Sequence, residues 1–271
     1  MYRMRPYIGI VGIKNADEAI EVSKLIQKMD YKKSGHMIQI GVQVTPFVIN
    51  GAISKGIGMR SSEGLGEVAD IFECTREILG DVFNVVHYSE KDKSNLVQRV
   101  GEIFDTSGIF STSLCRAIQL NGYLDDIRVD DLARIKKHYH QLKIIMQIDH
   151  QFVNSSNVYG VVHKLLQISR FIDYVVIDSS RGAEMPMSIN KSINLAKAIR
   201  NDIRNLGIGF AGGFNGENSY FNILKLRQLL KSKDFSVDSD DSLNIDKAER
   251  YIANTLAAFG KNSDILNGSR K

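Results

Sequence analysis

Four side chains of this sequence carry acid–base groups at positions that favour catalysis. Asp149, Asp178 and Asp238 each end or follow a short apolar run, and His87 lies at the end of another. Carboxyl and imidazole groups brought together in a pocket can donate and accept protons at a substrate. We therefore take Asp178, Asp149 and His87 as catalytic candidates, with Asp238 as a residue that lines the pocket.

A glycine pair marks a second feature of interest, a turn that approaches a ligand closely. The segment Ile208–Ser219 reads IGFAGGFNGENS, in which an apolar run ends in Gly212-Gly213 and a helix is predicted to begin at Glu217. Paired glycines let backbone N–H groups approach a ligand, and the start of a helix favours negative charge. The segment predicts a small-anion pocket, with Gly212 and Gly213 in its wall.

Short apolar runs alternate with amphipathic stretches along the whole chain. The runs, predicted as strands, are Tyr7–Ile13, Met37–Val44, Val82–Tyr88, Arg116–Leu120, Lys143–Ile148, Tyr174–Asp178, Ile208–Gly212 and Phe235–Asp238. The helical stretches are Ala16–Met29, Gly66–Leu79, Lys93–Phe104, Val129–His140, Ser156–Phe171, Ser188–Leu206, Glu217–Leu230 and Asn244–Phe259. This alternation is typical of parallel strands joined by helical crossovers. We predict an α/β protein, a single (β/α)8 TIM barrel. A doubly wound open sheet is the alternative, because the number of strands does not show closure.

The alternation within strands predicts which side chains point into the barrel. In Met37–Val44 every second residue is apolar, and the others are Gln39, Gly41 and Gln43. Helices cover the outside of a barrel, so the uniformly apolar set should face them. Gln43 is then predicted to point inward, toward a substrate.

The same reasoning applies to later strands. It directs Gln119, Asp149 and Asp178 inward, at the strand ends where barrel enzymes have their sites. In Val82–Tyr88 the pattern is ambiguous, and either His87 or Tyr88 is expected to face the ligand.

Six motifs, in order along the chain, resemble one known family. They are IVGIKNADEA at 10–19, MRSSEGLGEVA at 59–69, QLNG at 119–122, VVIDS at 175–179, AGG at 211–213 and VDSDDSLN at 237–244. Together they resemble the phosphoribosylanthranilate isomerases of tryptophan synthesis, over nearly the whole chain.

This resemblance implies an aldose–ketose isomerase that uses an acid and a base and no cofactor. It gives Asp178 the role of general acid, and it puts Arg60 where the family contacts the anthranilate end of the substrate. The substrate is expected to be a small sugar-like metabolite, phosphorylated or not.

The sequence departs from the family at the residues that define its chemistry. Val11 occupies the position of the catalytic cysteine and cannot accept a proton. The base is then expected from Asp149, His150 or His87. Asp240-Asp241 replaces serines that grip phosphate, and two carboxylates repel a phosphate dianion. The alternative function is a catalytically silent barrel that binds a small molecule or serves as an accessory protein.

Composition bounds the remaining possibilities. The chain has 271 residues, of which 43% are hydrophobic and 24% charged, and we predict one domain over 1–260 and a polar tail over 261–271. The net charge of +4 is spread along the chain without a basic face, so we expect no nucleic-acid partner. No apolar stretch approaches 18 residues, so we expect a cytoplasmic protein without a membrane partner. No ligand spacing for a metal is evident, and Asn50–Gly58 is interpreted as a lid.

Overall fold

The computed structural model describes residues 4–51, 64–180, 187–239 and 245–260. Its centre is a closed barrel of parallel strands that pair in the order of the sequence. The strands are β1 (Tyr7–Val11), β2 (Met37–Val44), β3 (Val82–Ser89), β4 (Ala117–Asn121), β5 (Lys143–Ile148), β6 (Tyr174–Asp178), β7 (Gly207–Phe214) and β8 (Ser236–Ser239). β8 also pairs with β1, with Val237 opposite Ile8, and this pairing closes the barrel. The predicted (β/α)8 TIM barrel is confirmed.

Helices surround the strands. Within the described ranges the α-helices are α1 (Ala16–Lys28), α2 (Pro46–Ile49), α3 (Leu65–Leu79), α4 (Leu96–Gly101), α5 (Val129–His138), α6 (His150–Asn154), α7 (Val158–Ile168), α8 (Ile189–Asp202), α9 (Ser219–Leu230) and α10 (Ile245–Gly260). Short 3-10 turns lie at Tyr31–Ser34 and Lys93–Asn95, and a π-helical turn follows α4 at Glu102–Thr106. No helix in these ranges is both long enough and apolar enough to cross a bilayer.

Local sequence explains how these helices begin and which face they bury. α1 begins after Asn15, whose side-chain oxygen accepts a hydrogen bond from the N–H of Glu18 at 2.9 Å. Its buried residues include Ala19, Val22 and Ile26, which share one face at helical spacing. One predicted helix, Lys93–Phe104, is instead divided into the 3-10 turn, α4 and the π-helical turn.

Two apolar layers enclose the strands. The outer layer, between strands and helices, contains Ile38, Ile40, Val42 and Val44, as the alternation in β2 predicts. The inner layer is a plug inside the barrel, and its buried members are Tyr7, Val85, Ala117, Ile145, Tyr174 and Val176. Because the plug fills the interior at the amino-terminal ends of the strands, polar groups can reach a shared space at the opposite, carboxyl-terminal end.

The ambiguity in β3 is resolved by the same two layers. Tyr88 belongs to the outer layer, and its hydroxyl donates a hydrogen bond to Glu90. His87 therefore points inward, and its register neighbours are Gln43 on β2 and Gln119 on β4. Polar side chains from three adjacent strands thus face the barrel interior.

Packing in the outer layer predicts different effects on stability for two neighbouring leucines of α7. Leu165 is fully buried, whereas Leu166 is 45% exposed. Leu165→Ala should lower the free energy of unfolding by about 2–5 kcal/mol, because it leaves a cavity. The matched control Leu166→Ala should change it by about 0.5 kcal/mol or less. Urea denaturation of both variants measures the difference, and equal effects would contradict the packing of α7.

Candidate active site

A cavity of about 380 Å³ opens at the carboxyl-terminal ends of the strands. Its described lining residues are Val11, Gln43, His87, Ser89, Lys93, Gln119, Asn121, Gly122, Gln147, Asp149, Asp178, Ser180, Ala211, Gly212, Gly213, Asp238 and Ser239. The volume suits a single small metabolite. Most of the lining side chains are polar, so the cavity can bind a hydroxylated or charged molecule.

Most residues predicted for the site line this one cavity. They are Asp178, Asp149, His87, Gln43, Gln119, Gly212, Gly213 and Asp238. Arg60 lies outside the described residues. Asp240, Asp241 and residues 52–58 of the predicted lid also lie outside them. Val11 also lines the cavity, at the position where the resemblance expects the catalytic base.

Asp178 is held by hydrogen-bond donors. Its Oδ1 accepts from the Ser180 N–H at 3.0 Å and from the Ser180 hydroxyl at 2.7 Å. Its Oδ2 accepts from the Gln147 amide at 3.1 Å. Burial raises the pKa of Asp178, and the bonds from Ser180 oppose that rise. Donors to both oxygens favour the ionised carboxylate.

Asp149 lines the same cavity as Asp178, and the Gln147 side chain lies near it. The Gln147 carbonyl oxygen accepts from Gln119 at 3.2 Å, which orients its amide group toward Asp178. Burial raises the pKa of Asp149, and the negative charge of Asp178 raises it further. Both carboxyl groups of the site therefore have raised pKa values, and at Asp178 the hydrogen bonds from Ser180 oppose the rise.

Asp238 is the most deeply buried of the three aspartates. It is 3% exposed, and neither carboxyl oxygen has a hydrogen-bond partner among the described residues. Burial, followed by the charge of Asp178, raises the pKa of Asp238 to about 8. The carboxyl group is therefore protonated at neutral pH.

His87 is also buried in the barrel interior and is neutral. Burial lowers the pKa of His87 to about 3. The Gln39 amide nitrogen lies 2.8 Å from His87 Nε2, so this ring nitrogen is engaged in a hydrogen bond. His87 lines the cavity, but its Nε2 is engaged, so the carboxyl groups are better suited to accept a substrate proton.

Lys93 is a site residue that the sequence does not reveal. It is the single cation among the described lining residues, and its ammonium lies 4.1 Å from the centre of the Tyr123 ring. The carbonyl oxygens of Glu90 and Asn121 accept its hydrogen bonds. Burial lowers the pKa of Lys93. It begins the 3-10 turn that follows β3, where strand alternation gives no indication of direction.

Gln147 is a second site residue outside the predicted set, although the sequence contains a signal for it. Gln147 and Asp149 are two residues apart, so the alternation that directs Asp149 inward also directs Gln147 inward. A polar residue at such a position inside an apolar strand indicates a functional role.

The glycine pair is required by the site. Gly212 and Gly213 have φ values of 109° and 74°, which disfavour other residues. A Cβ on Gly212 would lie 2.9 Å from Asp178 Oδ1. These glycines therefore leave room for the carboxylate and its partners.

The helix start that follows the glycines differs from the prediction. α9 begins at Ser219 rather than at Glu217. The Asn215 side chain accepts hydrogen bonds from the N–H groups of Glu217 and Asn218. Because these amides are occupied within the turn, they are not available to bind the small anion expected there.

No protein-family model matches this chain, and no curated protein matches it. Among the described residues, no group of three or more His, Cys, Asp or Glu side chains is arranged to hold a metal ion. The fold defines a (β/α)8 barrel protein with a polar cavity at its carboxyl-terminal mouth.

The protonated state of Asp238 predicts how stability depends on pH. In the unfolded chain Asp238 ionises near its ordinary pKa of 3.8, and in the folded chain near 8. Between these values the folded state binds the additional proton, so this group makes stability fall as pH rises, by up to about 1.4 kcal/mol per pH unit. Asp238→Asn removes that dependence.

Urea denaturation of the wild type and of Asp238→Asn at pH 5, 6 and 7 tests this prediction. At each step to higher pH, the free energy of unfolding of the variant should rise relative to that of the wild type. Parallel dependence on pH would show that Asp238 is ionised in the folded protein.

Proposed function

We propose that this protein is an acid–base isomerase that moves a proton between neighbouring carbons of a small sugar-like or amino-carbonyl metabolite. The observation that carries the proposal is the pair of carboxyl groups, Asp149 and Asp178, which line one cavity, with the Gln147 amide donating a hydrogen bond to Asp178. An aldose–ketose conversion needs one group to remove a proton from carbon and another to protonate oxygen.

The hydrogen bonds support specific roles for the pair. Asp178, with donors on both oxygens, acts as the base and takes the proton from the carbon next to a carbonyl or imine. Asp149, whose pKa is raised by burial and by Asp178, acts as the acid and protonates the oxygen that gains electron density. Asp178 then returns the proton to the former carbonyl carbon, while the hydroxyl on the carbon that was first deprotonated gives its proton to Asp149 and becomes the new carbonyl, which completes the isomerisation.

Lys93 supports the same reaction electrostatically. A Cβ on Gly122 would lie 3.6 Å from both Asp149 Oδ2 and Lys93 Nζ, so these groups flank one part of the cavity. A fixed ammonium beside a developing oxyanion stabilises the transition state. Lys93 is therefore proposed to contact the substrate oxygen that Asp149 protonates.

The proposal includes descent from the isomerase family that the sequence resembles. The resemblance makes Asp178 the acid and expects the base at the position of Val11. Since Val11 cannot accept a proton, and since the partners of Asp178 favour its ionised form, we propose that Asp178 has become the base. A changed substrate accompanies this change of roles.

The second candidate is a barrel that binds a small molecule without turnover. It is favoured by Val11, an apolar side chain in the cavity wall at the place of the family's base. The two candidates differ in a measurable way, because a binding protein should be stabilised by ligand without catalysing proton exchange.

Exchange of carbon-bound protons in heavy water tests the enzyme. Aldoses, ketoses, their phosphates and aminoketoses are incubated with the protein, and loss of the proton next to the carbonyl is followed by NMR. Phosphoribosylanthranilate is added to the panel and followed by fluorescence. We expect exchange or turnover with at least one compound, and a loss of about 10³-fold or more in Asp178→Asn.

The control for this loss is Asp202→Asn, which alters an exposed aspartate at the end of α8. It should retain full activity. Full activity in a folded Asp178→Asn would overturn the assignment of the base. Stabilisation of the protein by a panel member, with no exchange, would favour the binding candidate.

Lys93 has a separate prediction. Lys93→Met should lower kcat by about 10²–10³-fold, because the oxyanion loses its cation. Lys91→Met, an exposed neighbour two residues away, is the matched control and should leave kcat unchanged. Equal kcat values for both variants would show that Lys93 does not act on the reaction.

A further inference from the structure

The deep end of the cavity contains hydrogen-bond acceptors that lack donors. Both oxygens of Asp238 and the carbonyl oxygen of Gln39 are buried without a hydrogen-bond partner in the described part of the chain. Asp238 lines the cavity, whereas Gln39 lies behind it. Asp238 Oδ1 and Gln39 Oε1 lie 2.0 and 2.4 Å from the position that a Cβ on Gly9 would occupy, so the two oxygens are neighbours over Gly9. Buried polar atoms normally have partners, and such a group of exceptions needs an explanation.

The Gln39 side chain lies between His87 and Asp238. Its amide nitrogen is 2.8 Å from His87 Nε2, which leaves the carbonyl oxygen directed toward Asp238. The donors missing from this space can come from a proton on Asp238, from the hydroxyl of Tyr7, which has no partner within the described ranges, or from a ligand.

We propose that Asp238, with Gln39 behind it and Asp178 nearby, binds the protonated amine of an amine-bearing substrate. An ammonium group has three donors and no acceptor, which suits carboxyl oxygens that lack donors among the described residues. Its charge is the counter-ion that two buried carboxylates need. The inference rests on the proposed function for taking this cavity as the substrate site.

The charges of the cavity disfavour a phosphate at the same place. Among its described lining residues, three aspartates face one lysine, and Lys93 lies on the side of Asp149 rather than beside Asp238. The amides of Glu217 and Asn218 are also occupied. The substrate class is therefore a small aminoketose or amino sugar, with its amine at the deep end and its carbonyl between Asp149 and Asp178.

Binding of an ammonium must displace the proton of Asp238. The titratable groups that face this carboxyl are Asp178 on β6, Tyr7 on β1 and Tyr251 on α10. Burial, followed by the charge of Asp238, raises the pKa of both tyrosines, so they remain neutral. One proton is then released for each amine bound below about pH 8, the pKa of the empty site. An anionic ligand would produce the opposite sign.

Calorimetric titration with 1-amino-1-deoxy-D-fructose tests the inference on the chelator-treated wild-type protein. D-fructose, which has a hydroxyl in place of the amine, is the matched ligand, and inorganic phosphate is the anionic probe. We expect the amine to bind about tenfold or more tightly than D-fructose, and its affinity to rise about tenfold from pH 6 to pH 7. Two buffers with different heats of ionisation should report the released proton.

Asp238→Asn should lose the preference for the amine, whereas Asp202→Asn should keep it. The number of protons released on amine binding is measured on the wild type alone, so it tests the inference even if Asp238→Asn does not fold. Equal affinity for the amine and D-fructose, absence of proton release, tighter binding of phosphate, or no binding of the amine would each overturn the inference. Amine preference without any proton exchange in heavy water would leave this site standing and remove the proposed isomerase.

Discussion

Negative charge buried at the mouth of the barrel is the constraint on which the site depends. Asp178 is stabilised by Ser180 and Gln147, whereas Asp238 has no described donor and is kept neutral by a raised pKa. Ionising both would leave two carboxylates close together in a poorly solvated space. Protons are consequently distributed unequally among the aspartates, and acid–base catalysis requires such a distribution.

The fold produces this constraint by separating apolar and polar layers along each strand. The plug that includes Tyr7 and Tyr174, whose ring centres are 5.5 Å apart, fills the amino-terminal part of the barrel interior. The next inward residues toward the mouth include Gln39, His87 and Asp238, which are polar and buried. These side chains are shielded from bulk water. Burying polar groups costs free energy, so the stability of the fold does not explain their presence.

Much of this arrangement could be predicted from the sequence, because strands have a strict period of two. That period alone directs Gln119 and Asp178 inward, and both line the cavity. It is ambiguous for His87, whose neighbour Tyr88 is also polar at its tip, and the register with β2 and β4 is needed to decide. Lys93 lies in the 3-10 turn after β3, where the period of two does not apply. The proton state of Asp238 depends on burial and on a residue of a different strand, and neither is encoded locally.

The central claim is the unequal sharing of protons among the aspartates, and carbon-13 NMR of their carboxyl groups tests it most directly. With selectively labelled aspartate, and with Asp238→Asn to assign the signal, we expect Asp238 to titrate near pH 8. Exposed aspartates should titrate near pH 4. If the Asp238 carboxyl titrates together with the exposed aspartates, the site holds an ordinary carboxylate, and both the acid–base assignment and the amine site lose their basis.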